Sequence, residues 1–248
     1  MQVAPWSGKL TFEPGGNYDS IGIHRNDGNE MDVLDRIALK RIIPVVALHD
    51  EELAEPLAET LLEAGLDVME ITFRTAAAES AIRRIAARFP EMLLGAGTLL
   101  EPEQVQKAVE AGARFGVAPG LNERVVETAR QAGIYMIPGA MTPSEIERAM
   151  DMACFTLKFF PAEQAGGVAM LQALEGPYGH KSVRFIPTGG INVSNMLSYL
   201  ERPSVVAIGG SWMVEKSLIT AKDWHRIEQL TRAALAAALA VHADEAGG

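Results

Sequence analysis

Two ionisable residues stand where apolar side chains are expected. Lys158 lies in LKFFPAE (157–163), against Leu157, Phe159 and Phe160, and Glu70 lies in VMEIT (68–72). Withdrawing an ammonium or a carboxylate from water is costly unless the group is paired or used. Desolvation favours the neutral form of either group. A neutral lysine amine attacks a carbonyl and forms a Schiff base. A desolvated carboxyl suits general acid–base work. Each residue has a plainer alternative. The stem of Lys158 could lie on apolar surface with its head in water. Glu70 could form a structural ion pair with Arg74, four residues on. Arg74 is also a suitable fork for a substrate carboxylate.

Paired glycines form a second constellation, in PTGGIN (187–192) and IGGSW (208–212). Without a Cβ, Gly189, Gly190 and Gly210 let backbone N–H groups approach a ligand closely. Ser211 adds a hydroxyl donor. A single such turn could be only a tight loop; two in consecutive loops suggest an anion site.

Metal chemistry finds no support in spacing. His24, His49, His180, His225 and His242 form no HxH or HxxxH pair, and Cys154 stands at no ligand-like spacing from any of them. Cys154 precedes an apolar run and reads as a small core residue. Trp212 is expected to pack under the glycine loop or at a subunit contact, and Trp224 in the core. The methionines read as gap fillers. No metal and no cofactor is expected.

The elements that must position these residues follow a rhythm. Apolar runs recur at 42–46, 68–71, 92–96, 115–118, 135–138, 155–159, 184–187 and 205–209, with amphipathic Ala/Glu/Arg-rich segments between them. Continuous apolar strands alternating with helices indicate a parallel sheet covered on both faces. Eight such units predict an α/β fold of the (β/α)8 barrel type, a compact single domain over 31–248. A doubly wound open sheet is the other candidate, but 44–49 hold no glycine where its dinucleotide fingerprint belongs. In a barrel the strand C-termini carry the chemistry, and the loops after strands seven and eight commonly hold phosphate. Glu70, Arg74, GAGT (95–98), VAPG (117–120), Lys158 and both glycine pairs fall at those ends.

Composition narrows the partners. A net charge of −10 argues against nucleic acid and anionic membrane surfaces. It leaves room for a small anion held by local donors. One cysteine precludes an intrachain disulfide and fits a reducing, cytoplasmic setting. Neither a membrane span nor a signal-peptide core is evident. Residues 1–30, rich in Gly, Asn, Asp and Pro, lack periodicity and read as a poorly ordered extension. Trp6, Phe12 or Tyr18 could instead serve as a packing arm.

VMEITFRT, GAGT, VAPG, IPG, LKFFPAE, IPTGGIN and IGGSW, in this order, resemble the 2-keto-3-deoxy-6-phosphogluconate (KDPG) aldolases, a family that includes 4-hydroxy-2-oxoglutarate (KHG) aldolases. The resemblance runs from about Met31 to about Arg232. It implies a metal-free class I aldolase on a compact (β/α)8 barrel, usually a homotrimer. It implies Lys158 as the Schiff-base lysine and Glu70 as the acid–base carboxylate. Arg74, Thr98, Pro119 and Phe160 would line the pyruvate-derived end. Gly189, Gly190, Gly210 and Ser211 would take the phosphate of a phosphorylated keto acid, with Thr188 close by. Relatives that act on the galactonate epimer often carry an apolar residue at the Thr188 position, which favours the gluconate substrate. Phosphosugar isomerases and epimerases share the glycine loops but lack the KFFPAE lysine.

Overall fold

The computed structural model describes residues 33–245, with side chains as far as 241. The expected extension at 1–30, with Trp6, Phe12, Tyr18 and His24, lies outside the described residues, as does the side chain of His242. The described chain opens with α1 (Val33–Lys40). It then alternates β1 (Ile42–Val46), α2 (Ala54–Glu63), β2 (Val68–Thr72), α3 (Ala78–Arg88), β3 (Leu93–Gly97), α4 (Pro102–Ala111), β4 (Phe115–Val117), α5 (Glu123–Gln131), β5 (Tyr135–Ile137), α6 (Pro143–Asp151), β6 (Thr156–Phe159), α7 (Gly167–Tyr178), β7 (Arg184–Pro187), α8 (Met196–Leu200) and β8 (Ile208–Gly210). The helices α9 (Lys216–Ala221) and α10 (Trp224–Glu245) follow. No helix among the described residues is long and apolar enough to cross a membrane.

Every strand pairing is parallel, and the fold is α/β with a curled sheet. The main sheet holds six strands in the order β5-β4-β3-β2-β1-β8, while β6 and β7 pair separately. Isolated parallel bridges stand at both seams: Gly139 with Lys158, Phe185 with Val205, and Thr188 with Gly209. Proline accounts for the short ladders. Pro138 ends the β5 segment and Pro187 ends β7, and neither has an N–H to donate to a ladder. The last strand also begins later than its apolar run suggests, at Ile208 rather than Val205. Val205 N–H closes a turn onto the Arg202 carbonyl at 3.0 Å and is not free for the sheet.

Strand residues alternate between two apolar clusters. Ile42, Val46, Met69, Ile71, Leu94 and Ala96 pack outward with the helices. Ile43, Val68, Leu93, Phe115, Val117, Ile137, Ile186 and Ala207 form the inward cluster, joined by Ile37 of α1. Burial on both faces explains why the strands read as unbroken apolar runs. α1 is fastened beside the start of β2, where Arg36 and Lys40 reach Asp67 at 2.9 and 3.3 Å. Trp212 and Trp224 are both partly buried against the outer cluster, as expected for Trp224.

Candidate active site

The two-residue period places Glu70 and Lys158 on the inward side. Glu70 lies two residues beyond Val68, and Lys158 is in register with Ile186; both Val68 and Ile186 are members of the inward cluster. Lys158 Nζ is 3.4 Å from Glu70 Oε1. The two residues are 6% and 3% exposed. Nζ also lies 5.5 Å from the centroid of the Phe160 ring, within cation–π range. Both plainer alternatives thus fail. The Lys158 head is not in water, and the partner of Glu70 is Lys158, not Arg74. A buried ion pair contributes little net stability relative to apolar packing, so stability alone gives no reason for this one.

Gly97 makes the pair possible. A Cβ added there would lie 1.9 Å from Glu70 Oε1 and 2.6 Å from its Cδ. Only a residue without a side chain leaves room for the carboxylate. Gly95 does the same for the Phe115 ring below, at 2.2 Å. The sequence reading placed GAGT at a strand end but gave neither glycine this role. The signal was present: two glycines spaced by two on a buried strand share the face of Glu70, whose register partner is Gly95.

The other expected residues surround this pair. Arg74 is exposed just beyond β2, and its Nε donates to Thr72 Oγ1 at 3.3 Å. Thr72 Oγ1 in turn donates to the Val46 carbonyl at 3.0 Å. Thr98, directly after Gly97, is half-buried with φ of 58°. A β-branched residue in the left-handed region is strained, and such strain tends to collect at functional sites. Pro119 is half-buried, and its carbonyl would be 2.2 Å from a Cβ at Gly139, so that glycine lets the VAPG turn lie against the Lys158 strand. Phe160 is 36% exposed and forms the rim beside Lys158.

The glycine turn after β7 adjoins that rim. Gly189 and Gly190 adopt φ of 103° and 77° in succession. Their N–H groups donate to no backbone carbonyl in the loop, so they remain available to an anion. A Cβ on Gly189 would stand 3.4 Å from the Phe160 ring. Buried Thr188 packs its Oγ1 against Gly209, where a Cβ would lie 2.3 Å away. Ser211 is exposed after β8. Gly210 has a packing reason of its own: a Cβ there would meet the Trp212 ring at 1.8 Å. Trp212 therefore packs under the glycine loop.

Among the described residues no cluster of His, Cys, Asp or Glu could hold a metal ion. Cys154 is half-buried, and burial pushes its thiol up to about 11.

Known proteins resemble this chain over most of its length. A family model described as KDPG and KHG aldolase matches residues 33–230. The chain is 44% identical over 200 residues to the 2-dehydro-3-deoxy-phosphogluconate aldolase of Haemophilus influenzae, covering 81% of this chain and 93% of that one. It is similar to the solved KDPG aldolase of Legionella pneumophila with pyruvate captured at low pH as a covalent carbinolamine intermediate. There the TM-score is 0.79 at 38% identity, over 82% of this chain and 98% of that chain. It is also similar to the KDPG aldolase of Zymomonas mobilis solved with 3-phosphoglycerate, with a TM-score of 0.77 at 35% identity, over 83% and 95% of the two chains.

Proposed function

The chain belongs to the KDPG and KHG aldolase family, and from that premise we propose that it cleaves 2-keto-3-deoxy-6-phosphogluconate to pyruvate and glyceraldehyde 3-phosphate through a Schiff base on Lys158. Cleavage of 4-hydroxy-2-oxoglutarate to pyruvate and glyoxylate is the second activity of the proposal. The observation that carries it is the buried Lys158–Glu70 pair at 3.4 Å, beside a turn of two left-handed glycines.

The amine must be neutral to attack, and Glu70 is the base within reach of its proton. The Lys158 nitrogen adds to the C2 carbonyl to give a carbinolamine, which loses water to form a protonated imine. Glu70, directly or through a water, takes the proton of the C4 hydroxyl. The C4–O bond becomes a carbonyl as the C3–C4 bond breaks. Its electron pair moves into C3–C2 while the imine nitrogen is neutralised, giving an enamine. Glyceraldehyde 3-phosphate departs. Protonation at C3 and addition of water to C2 then release pyruvate and restore the amine. Arg74 and Thr98 hold the substrate carboxylate in this scheme, with Pro119 and Phe160 as apolar walls. The N–H groups of Gly189 and Gly190 and the hydroxyl of Ser211 take the phosphate, and Thr188 and Gly210 shape that loop.

The seam bridges on either side of β6 and β7 support reading the two sheets as one closed (β/α)8 barrel, with 31–248 as the domain and 1–30 as an extension. A homotrimer in the cytoplasm belongs to the same proposal and rests on the family resemblance. The test is reduction with borohydride in the presence of pyruvate. One adduct of pyruvate mass on Lys158 is expected, and an adduct on Lys40 or Lys181, or none, overturns the mechanism.

A further inference from the structure

Glu163 closes the LKFFPAE motif next to the glycine turn, and nothing in the reaction above uses it. Three features fix it. Its backbone N–H donates to the Gly189 carbonyl at 3.1 Å. Its stem lies over Gly190, where an added Cβ would meet Glu163 Cβ and Cγ at 2.7 Å. Its carboxylate accepts a hydrogen bond from Tyr199, a residue of α8 that is 0% exposed. The Tyr199 oxygen and Glu163 Oε1 both stand 3.5 Å from a Cβ placed at Gly167, at the start of α7. The stem therefore covers the turn while the charge is drawn off to α7 and α8. Burial, and then the neighbouring carboxylate, raise the Tyr199 pKa, so the phenol remains a donor. The far side of the turn is held as well: the side-chain amides of Asn195 and Asn192 donate to the Gly190 carbonyl at 3.1 and 3.3 Å.

We propose that Tyr199 is a positioning residue that pins the Glu163 carboxylate away from the glycine turn, so that the turn can accept a phosphate dianion. The physical need is plain. A carboxylate set free beside Gly190 would stand within a few ångströms of the substrate phosphate. Like charges at such a separation repel, and the repulsion weakens with added salt. An unpinned Glu163 would thus oppose the ligand that the loop is shaped to hold. A substrate without phosphate would feel almost none of this. The inference rests on the proposed phosphate site.

The experiment compares KDPG with its dephosphorylated analogue, 2-keto-3-deoxygluconate, on the wild-type chain and on Tyr199→Phe, Glu163→Gln and the double variant. Tyr199→Phe keeps the buried ring and loses only the hydroxyl. It is expected to raise KM for KDPG by roughly tenfold or more, with kcat little changed and the analogue unaffected. The loss should shrink as salt is added. Glu163→Gln keeps an oxygen to accept the Tyr199 hydrogen bond and should resemble wild type. The double variant should recover most of the Tyr199→Phe loss, because no charge is left to repel the phosphate. Equal losses on both substrates, or a double variant no better than Tyr199→Phe, would mean that the hydroxyl only supports the fold and would overturn the inference. If the wild-type chain itself shows no preference for KDPG over the analogue, the phosphate site fails and the inference falls with it. If wild type shows the preference and Tyr199→Phe keeps it, the inference alone fails.

Discussion

Lys158 and Glu70 face each other at 3.4 Å only because Gly97 carries no side chain. Lys158→Ala should abolish covalent turnover, while Glu70→Gln should lower kcat by roughly 10²–10⁴-fold with the imine still trapped by borohydride. Gly97→Ala should resemble Glu70→Gln: the new methyl displaces the carboxylate, and kcat falls by about 10²-fold or more while the circular dichroism spectrum stays native. Native kcat in Gly97→Ala would show that the carboxylate tolerates displacement. Cys154 gives a pH test. Its thiol is held near 11 by burial, so alkylation by iodoacetamide at pH 8 should be much slower than for a free thiol and should rise towards pH 11.

One loop and one helix govern behaviour at the level of elements. The loop after β8 should read phosphate. Ser211→Ala removes one hydrogen bond to a charged group, worth about 1.5–3 kcal/mol, or roughly one to two decades of kcat/KM on KDPG. The same protein should lose little on 4-hydroxy-2-oxoglutarate, which has no phosphate; equal losses would assign Ser211 to support of the loop. α1 is tied down by Asp67. Burial by itself would raise the Asp67 pKa, but hydrogen bonds and charge from Arg36 and Lys40 outweigh it and hold the carboxyl below its ordinary value. A depressed carboxyl stabilises the fold above its unfolded pKa and loses that contribution as pH falls through the folded value. Both partners are partly exposed, so the contribution is at most about 1 kcal/mol. Urea melts of wild type and Asp67→Asn should therefore differ at pH 6 and converge near pH 3.

At the scale of the whole molecule, chelation tests the metal-free mechanism. Turnover should be unchanged by EDTA; loss of activity restored by a divalent cation would replace the Schiff base with Lewis-acid chemistry. Sedimentation reports whether three copies associate, as the family resemblance implies. Deleting residues 1–30 should leave the number of associated copies, the melting temperature and turnover as they were, since their composition offers no core.

The order and type of the elements were legible in the sequence because both faces of the sheet are buried, and a buried parallel strand must read as an unbroken apolar run. Lys158 and Glu70 were legible for the complementary reason: a charge in such a run is costly and therefore conspicuous. What remained hidden was which charge answers which. From the sequence, the partner in view for Glu70 was Arg74, four residues on, whereas the structure sets it against Lys158, 88 residues away. Only the curvature of the sheet brings β2 opposite β6. The glycines show the same division. Their presence at strand ends was plain, but whether each serves a ligand or a neighbouring side chain depends on what stands against it. Gly97 admits Glu70, Gly209 admits Thr188, Gly210 admits Trp212 and Gly190 lies under Glu163. The lengths of the ladders were also decided in three dimensions, where Pro138 and Pro187 leave the seams beside β6 and β7 with isolated bridges. Local composition determines what a segment becomes, whereas contacts between residues remote along the chain are set by how the sheet curls around its core.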